Sequence, residues 1–198
     1  MIHVIRHGET DFNLQGRYQG RLDVRLNVTG RRQAEAAAAK VAALAPELIV
    51  CSPLKRVTET ARVFVDRLRI ELTIDARFIE RSLGAYEGLT KEEAAARYPA
   101  IYARNITRLF DEAPPDGETP REVCARVYEA LDELMSSREN RSILIVTHGF
   151  VAKAIAAYFN PERAVEDFFE HSLCGGEIVS YHPVNRAERS GLDRKDKA

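Results

Sequence analysis

The segment Met1–Thr10, MIHVIRHGET, opens with a short, β-branched apolar run and passes at once into polar turn residues. A run of this kind suits a buried strand that delivers its C-terminal end to a surface crevice. Arg6, His7 and Gly8 stand directly at that end. Two readings compete for the turn: a polar loop that contains a histidine, or an anion site with a nucleophile in it.

Two more apolar runs repeat the arrangement. Glu47–Ser52, ELIVCS, leads into SPLKR, and Ser142–Gly149, SILIVTHG, ends on a second histidine. Between them lie helical patterns. An alanine-rich run to Leu44 follows Thr29. Ser52 and Pro53 suit an N-cap and first helical residue ahead of the stripe Val57, Ala61, Phe64, Val65 and Leu68. Thr90–Glu93 and Thr119–Glu122 match the capping-box pattern, the second with Pro120 at the first helical position and a face of Val123, Val127, Leu131 and Leu134. A helix over about Phe150–Phe159 and a fourth strand in EIVSYH complete the reading. The pattern weakens between Tyr98 and Gly117, where DEAPPDGE reads as a loop. Strands alternating with helices predict an α/β three-layer sandwich, a largely parallel central sheet with helices on both faces.

A chain of 198 residues fits one domain, expected over residues 1–185, with a charged tail over 186–198. The charge balance, 29 Lys and Arg against 30 Asp and Glu, argues against a nucleic-acid or membrane-surface partner. Cys51, Cys124 and Cys174 cannot pair completely, and no apolar run is long enough for a leader or a membrane span. These features point to a reduced, cytoplasmic protein whose partner is a small molecule or another protein. Oligomeric state is left open, a homodimer included.

In a doubly wound sheet, sites form beyond the carboxyl ends of the strands. His7 alone would read as a structural histidine. His148, also at a strand end and also followed by glycine, makes a convergent pair. Metal binding is disfavoured because the pair lacks an HxxxH or HxH pattern and its neighbours are arginines, which oppose a bound cation. Anion chemistry fits better: Arg6 and Arg56 offer planar donors that match phosphoryl oxygens from two sides.

The order RHGETDFN, GRYQGRLDVRLNVTGRRQA, CSPLKRVTETA, ERSLGAYEGL, GETPREVCARV and VTHGFVAKAI, spread over about Ile2–Ala157, resembles the histidine phosphatase superfamily, the group that includes cofactor-dependent phosphoglycerate mutases. The resemblance implies the phosphoglycerate mutase-like fold and a phosphohistidine mechanism without metal or cofactor. His7 is then the nucleophile, while Arg6, Arg56 and His148 bind the phosphoryl oxygens. Glu80 becomes the acid that protonates the leaving oxygen and then the base that activates water. Glu87 competes for that role, and motif position favours Glu80. Asn13, Gln19, Gly20, Gly149, Arg81 and Lys91 match positions that touch phosphate or substrate, although turn chemistry accounts nearly as well for Gln19 and Gly20.

Physical chemistry bears on the same residues. Imidazole near neutrality needs only the correct tautomer to attack, which a backbone carbonyl on its other nitrogen can fix. A carboxylic acid that serves a poor leaving group is expected at the pocket wall. Separated Arg104 and Arg108, in place of the adjacent arginines of mutases, and Phe150, where mutases carry asparagine, favour hydrolysis of a small phosphate monoester. A phosphoglycerate mutase is the alternative. A non-catalytic binding module ranks third, since no core residue is lost. GRYQGRLD also resembles the α-ribazole phosphatase branch.

Overall fold

The computed structural model describes residues 1–137, 141–162, 165–171 and 173–182. The expected tail at 186–198 lies outside the described residues. The elements run β1 (Ile2–Arg6), α1 (Asp11–Leu14), α2 (Val28–Ala43), β2 (Leu48–Cys51), α3 (Lys55–Leu68) and β3 (Glu71–Ile74). They continue with α4 (Lys91–Arg97), α5 (Pro99–Ala103), α6 (Pro120–Ser137), β4 (Ile143–Thr147), α7 (Gly149–Phe159), α8 (Val165–Glu170) and β5 (Ile178–Tyr181).

The strands form one sheet in the order β3-β2-β4-β1-β5. All neighbours are parallel except β5, which runs antiparallel to β1. Side chains alternate across the sheet, so successive residues of each strand enter different cores. Ile2, Val4, Leu48, Val50, Ile143 and Ile145 pack against Val123, Val127 and Leu131 of α6 and Val151 and Ile155 of α7. Ile5, Ile49, Cys51, Leu144 and Val146 pack against Ala37 and Val41 of α2 and Val57, Ala61 and Phe64 of α3. The result is the expected three-layer α/β sandwich. Among the described residues, no helix is long and apolar enough to cross a membrane.

Local signals held unevenly. The capping box at Thr90 and Glu93 starts α4, and Thr119 and Glu122 exchange the reciprocal bonds at the start of α6. By contrast, α2 is capped by Asn27, whose side-chain oxygen accepts from the Gly30 N–H at 2.8 Å, and begins ahead of Thr29. The expected cap at Ser52 is also displaced. The chain bends at Pro53 and Leu54, and α3 starts at Lys55 with no side-chain cap. The stretch from Tyr98 to Gly117, where the pattern weakens, holds α5 and a 3-10 turn at Ile106–Arg108. A fifth strand, β3, went unread because it is four residues long, lies at the sheet edge and buries none of them fully.

One close approach ties α2 to the turn after β1. A Cβ on Gly8 would lie 2.2 Å from the Gly30 carbonyl oxygen, and one on Gly30 would lie 2.1 Å from that of Glu9. Backbone therefore meets backbone with no room for a methyl group. In an open helix, Gly→Ala gains about 1 kcal/mol. Here overpacking dominates, and Gly30→Ala is expected to destabilise the protein by about 1–3 kcal/mol in urea unfolding. A stabilised variant would mean that the turn yields freely.

Candidate active site

The topology brings three strand ends together. Because β4 lies between β1 and β2, the residue after β4 is flanked by the residues after its two neighbours. Register then sets the heights: Arg6 pairs with Thr147, and Cys51 pairs with Val146. The His7 N–H donates to the Thr147 carbonyl at 3.0 Å. His7 and His148 meet edge to face with ring centroids 5.3 Å apart, and Ser52 reaches the far side of His148, with Oγ 2.7 Å from its Nε2. All three side chains are buried.

Two hydrogen bonds define the His7 ring. Nδ1 lies 2.7 Å from the Gly8 carbonyl oxygen, which can only accept, so Nδ1 carries the proton. On the other side, the Arg56 Nε–H donates to Nε2 at 3.2 Å, so Nε2 presents a lone pair. Burial, then the guanidiniums of Arg56 and Arg6, hold the ring well below the ordinary imidazole value, and the Gly8 bond only partly opposes them. His148 is held down in the same direction, by burial first and then by Arg56, His7 and Arg6.

Arg56 is 1% exposed. Beyond His7 it donates to the carbonyls of Leu22 and Gly20, each at 2.8 Å. Burial pushes it down to about 10, against the opposing pull of Glu80 and Asp23. Arg6 donates to the Leu173 carbonyl at 3.2 Å and lies against the start of α7, where a Cβ on Gly149 would meet its Cζ at 3.5 Å, an ordinary contact. Arg6, His7, Glu9, Asn13, Gln33 and Gly175 line a crevice of about 160 Å³. The Asn13 side-chain oxygen is taken by the Thr10 N–H at 3.1 Å, which leaves the donor end of the amide for the crevice.

Glu80 is half-buried. Its carboxylate accepts from the Arg81 N–H at 2.9 Å and from the Phe150 N–H, at the start of α7, at 3.3 Å. Its own carbonyl is held by Arg21 at 3.2 Å. Glu87 serves differently: it accepts the N–H groups of Arg21 and Leu83 at 2.9 and 3.0 Å and staples two loops together. Gly20 packs against it. With φ +49° and a hypothetical Cβ only 2.0 Å from a Glu87 oxygen, that position requires glycine. The neighbouring Gln19 has a buried side-chain oxygen with no partner among the described residues.

Arg81 and Lys91 are placed apart from the crevice. Arg81 is 2% exposed and donates to the carbonyls of Glu118, Thr107 and Glu112, with its guanidinium 4.8 Å over the Phe150 ring. Lys91 lines a separate cavity of about 600 Å³ with Tyr18, Tyr86, Tyr102 and Asn105. Sequence reasoning missed Ser52, Gln33 and Thr60. Gln33 accepts the Glu9 N–H at 2.8 Å, and Thr60 accepts the Gly8 N–H at 3.2 Å. Their one common signal was position, since each sits within a quoted motif; their partners lie 24 to 96 residues away in the chain.

A crevice at the carboxyl edge of a parallel sheet is lined by Arg6 and His7, with Arg56 and His148 in contact with His7 behind them. Comparison with known proteins narrows the class. The pattern described as "Histidine phosphatase superfamily (branch 1)" matches residues 2–189. The chain is 36% identical over 154 residues to the "Uncharacterized phosphatase PhoE" of Bacillus subtilis, covering 78% of this chain and 74% of that one. It is 36% identical over 163 residues to glucosyl-3-phosphoglycerate phosphatase of Mycobacterium tuberculosis, covering 78% and 72%. A solved structure of mycobacterial glucosyl-3-phosphoglycerate phosphatase with VO3 superposes with a TM-score of 0.82 at 30% identity, covering 89% of this chain and 88% of that one. The chain belongs to the histidine phosphatase superfamily, and these relatives are phosphatases.

The two depressed histidines make stability depend on pH. Both rings stay neutral when folded, whereas in the unfolded chain each protonates near pH 6.5. The unfolded state thus binds the extra protons, and stability falls as pH drops below about 6.5. Each histidine is expected to add up to about 1.4 kcal/mol per pH unit to that slope. Urea unfolding between pH 7 and pH 5 measures it. The double variant His7→Asn/His148→Asn should lose this part of the slope, and an unchanged slope would place the acid sensitivity elsewhere.

Proposed function

We propose that the protein hydrolyses a phosphate monoester of a small metabolite through a phosphohistidine on Nε2 of His7. The observation that carries the reading is the two-sided hydrogen bonding of that ring. The Gly8 carbonyl takes the proton side, so the lone pair lies on the side of Arg56. Attack by that lone pair on phosphorus forms the N–P bond as the ester P–O bond breaks, its electron pair leaving with the oxygen. The ring becomes cationic as it does so, and the Gly8 carbonyl then accepts from a charged N–H, a stronger bond than the neutral one it replaces.

Glu80 is the group suited to hand a proton to the departing oxygen. Its carboxylate is held in place by two backbone N–H groups, one of them at the start of α7, the helix that follows His148. In the second step the same carboxylate takes a proton from water as the water oxygen attacks phosphorus, and the N–P electron pair returns to Nε2. Arg6 and Arg56 stabilise the charge gathered on the phosphoryl oxygens in both steps, with Asn13 supplying a further donor. Two buried thiols and the absence of disulfides among the cysteines support a cytoplasmic setting.

The test is a screen of phosphate release from 3-phosphoglycerate, glucosyl-3-phosphoglycerate, phosphoserine and α-ribazole phosphate, with isomerisation scored separately. His7→Ala is expected to abolish turnover and the acid-labile, alkali-stable phosphoenzyme. Glu80→Gln should lower kcat by about 10²–10⁴-fold on alkyl phosphates and far less on p-nitrophenyl phosphate, whose leaving group needs no proton. Full activity in His7→Ala sinks the mechanism. Dominant 2-/3-phosphoglycerate interconversion primed by a diphosphate would replace hydrolysis by the mutase reaction.

A further inference from the structure

His148 raises a question that its neighbours answer. A neutral imidazole has one N–H and one lone pair, and only the N–H attracts a phosphoryl oxygen. Burial and the surrounding arginines keep this ring neutral, so no donor is gained by protonating it. Which nitrogen carries the single hydrogen therefore decides whether His148 attracts or repels an anion.

Ser52 stands on the Nε2 side. Its Oγ lies 2.7 Å from that nitrogen and accepts a longer bond, 3.4 Å, from the Leu54 N–H. The serine is fully buried, and among the described residues its hydroxyl hydrogen has one acceptor within reach, the Nε2 lone pair. If the ring donated instead, two buried groups would be left without partners, the serine hydrogen and the Nδ1 lone pair. With the serine donating, one is left. That one is the Nδ1–H, and Nδ1 is a buried ring nitrogen with no partner among the described residues. It belongs to a ring that touches His7 edge to face.

We infer that Ser52 is a positioning residue: by donating to Nε2 it fixes His148 as the Nδ1–H tautomer, so that the ring presents a donor to an anion bound beside His7. The two histidines then carry their hydrogen on the same nitrogen for opposite purposes. A carbonyl consumes the Nδ1–H of His7 and releases Nε2 as a nucleophile, while a hydroxyl consumes Nε2 of His148 and leaves Nδ1–H as a donor. The register of β2 beside β4 makes this possible, since it sets Ser52 one strand away from His148.

The inference rests on the phosphoryl reading of the crevice, and the two fail separately. Two-bond ¹H–¹⁵N correlation spectra of the free, isotope-labelled protein report the tautomer directly, with His148 assigned in the wild type through its side-chain-to-backbone correlations. The expected pattern is Nδ1–H in the wild type, a mixture or Nε2–H in Ser52→Ala, and recovery of Nδ1–H in Ser52→Thr. Inorganic phosphate, titrated against wild type and Ser52→Ala, should bind the variant about 10- to 100-fold more weakly, the loss of one hydrogen bond to a charged group. An Nε2–H ring in the wild type overturns the assignment even if no variant folds. So does an Nδ1–H ring that Ser52→Ala leaves unchanged. Wild-type protein with the expected tautomers but no affinity for phosphate upholds the role of Ser52 on the ring and overturns the phosphoryl reading.

Discussion

The buried guanidinium of Arg56 is the interaction on which the rest of the site depends. A cation taken out of water costs several kcal/mol even after relaxation, and its partners must recover that. Here they are two carbonyls and an imidazole, all neutral. Its three bonds join α3 to the loop at Gly20–Leu22 and to the end of β1, so the group that polarises the crevice also holds its floor together. Residues nearby follow from this. Gly20 must bend with positive φ to aim its carbonyl, Glu87 must staple that loop from outside, and both histidines must stay uncharged beside a permanent positive field. Among the described residues no carboxylate is hydrogen-bonded to Arg56, which suits the group to an added anion.

Much of this architecture was legible in the residues. Three apolar runs ending in polar turns, separated by amphipathic helices, specify an α/β sheet and the edge at which its site lies. Capping boxes located two helices because their signal is local and reciprocal. What failed was either too short or too dependent on partners. Glu71–Ile74 has neither the length nor the burial to stand out, and it becomes a strand only because β2 offers a free edge. Ser52 carries the residue type of a helix cap. Its actual partner lies 96 positions away, across a strand pairing that no spacing reveals.

Arg81 illustrates the limit of reading chemistry from type. Its neighbour Glu80 bonds to the start of α7, yet Arg81 spends its donors on three carbonyls from the 107–118 segment and supports the Phe150 ring with its face. A guanidinium is as good an organiser of loops as it is a ligand for phosphate, and only three-dimensional surroundings distinguish the uses. The same holds for Lys91, which belongs to a tyrosine-walled cavity and not to the smaller crevice beside His7.

The strand order has a consequence for how the chain is born. β1 is the first strand to be synthesised, yet its two neighbours, β4 and β5, are the last. A nascent chain therefore carries Ile2–Arg6 as an apolar strand with both edges bare until more than a hundred further residues have left the ribosome. Pairings of such long sequence separation are slow to form and expose sticky edges meanwhile. The turn that holds His7 is thus among the earliest segments translated and among the last to acquire its shape, and a chain stalled before β4 would hold His7 without His148 beside it.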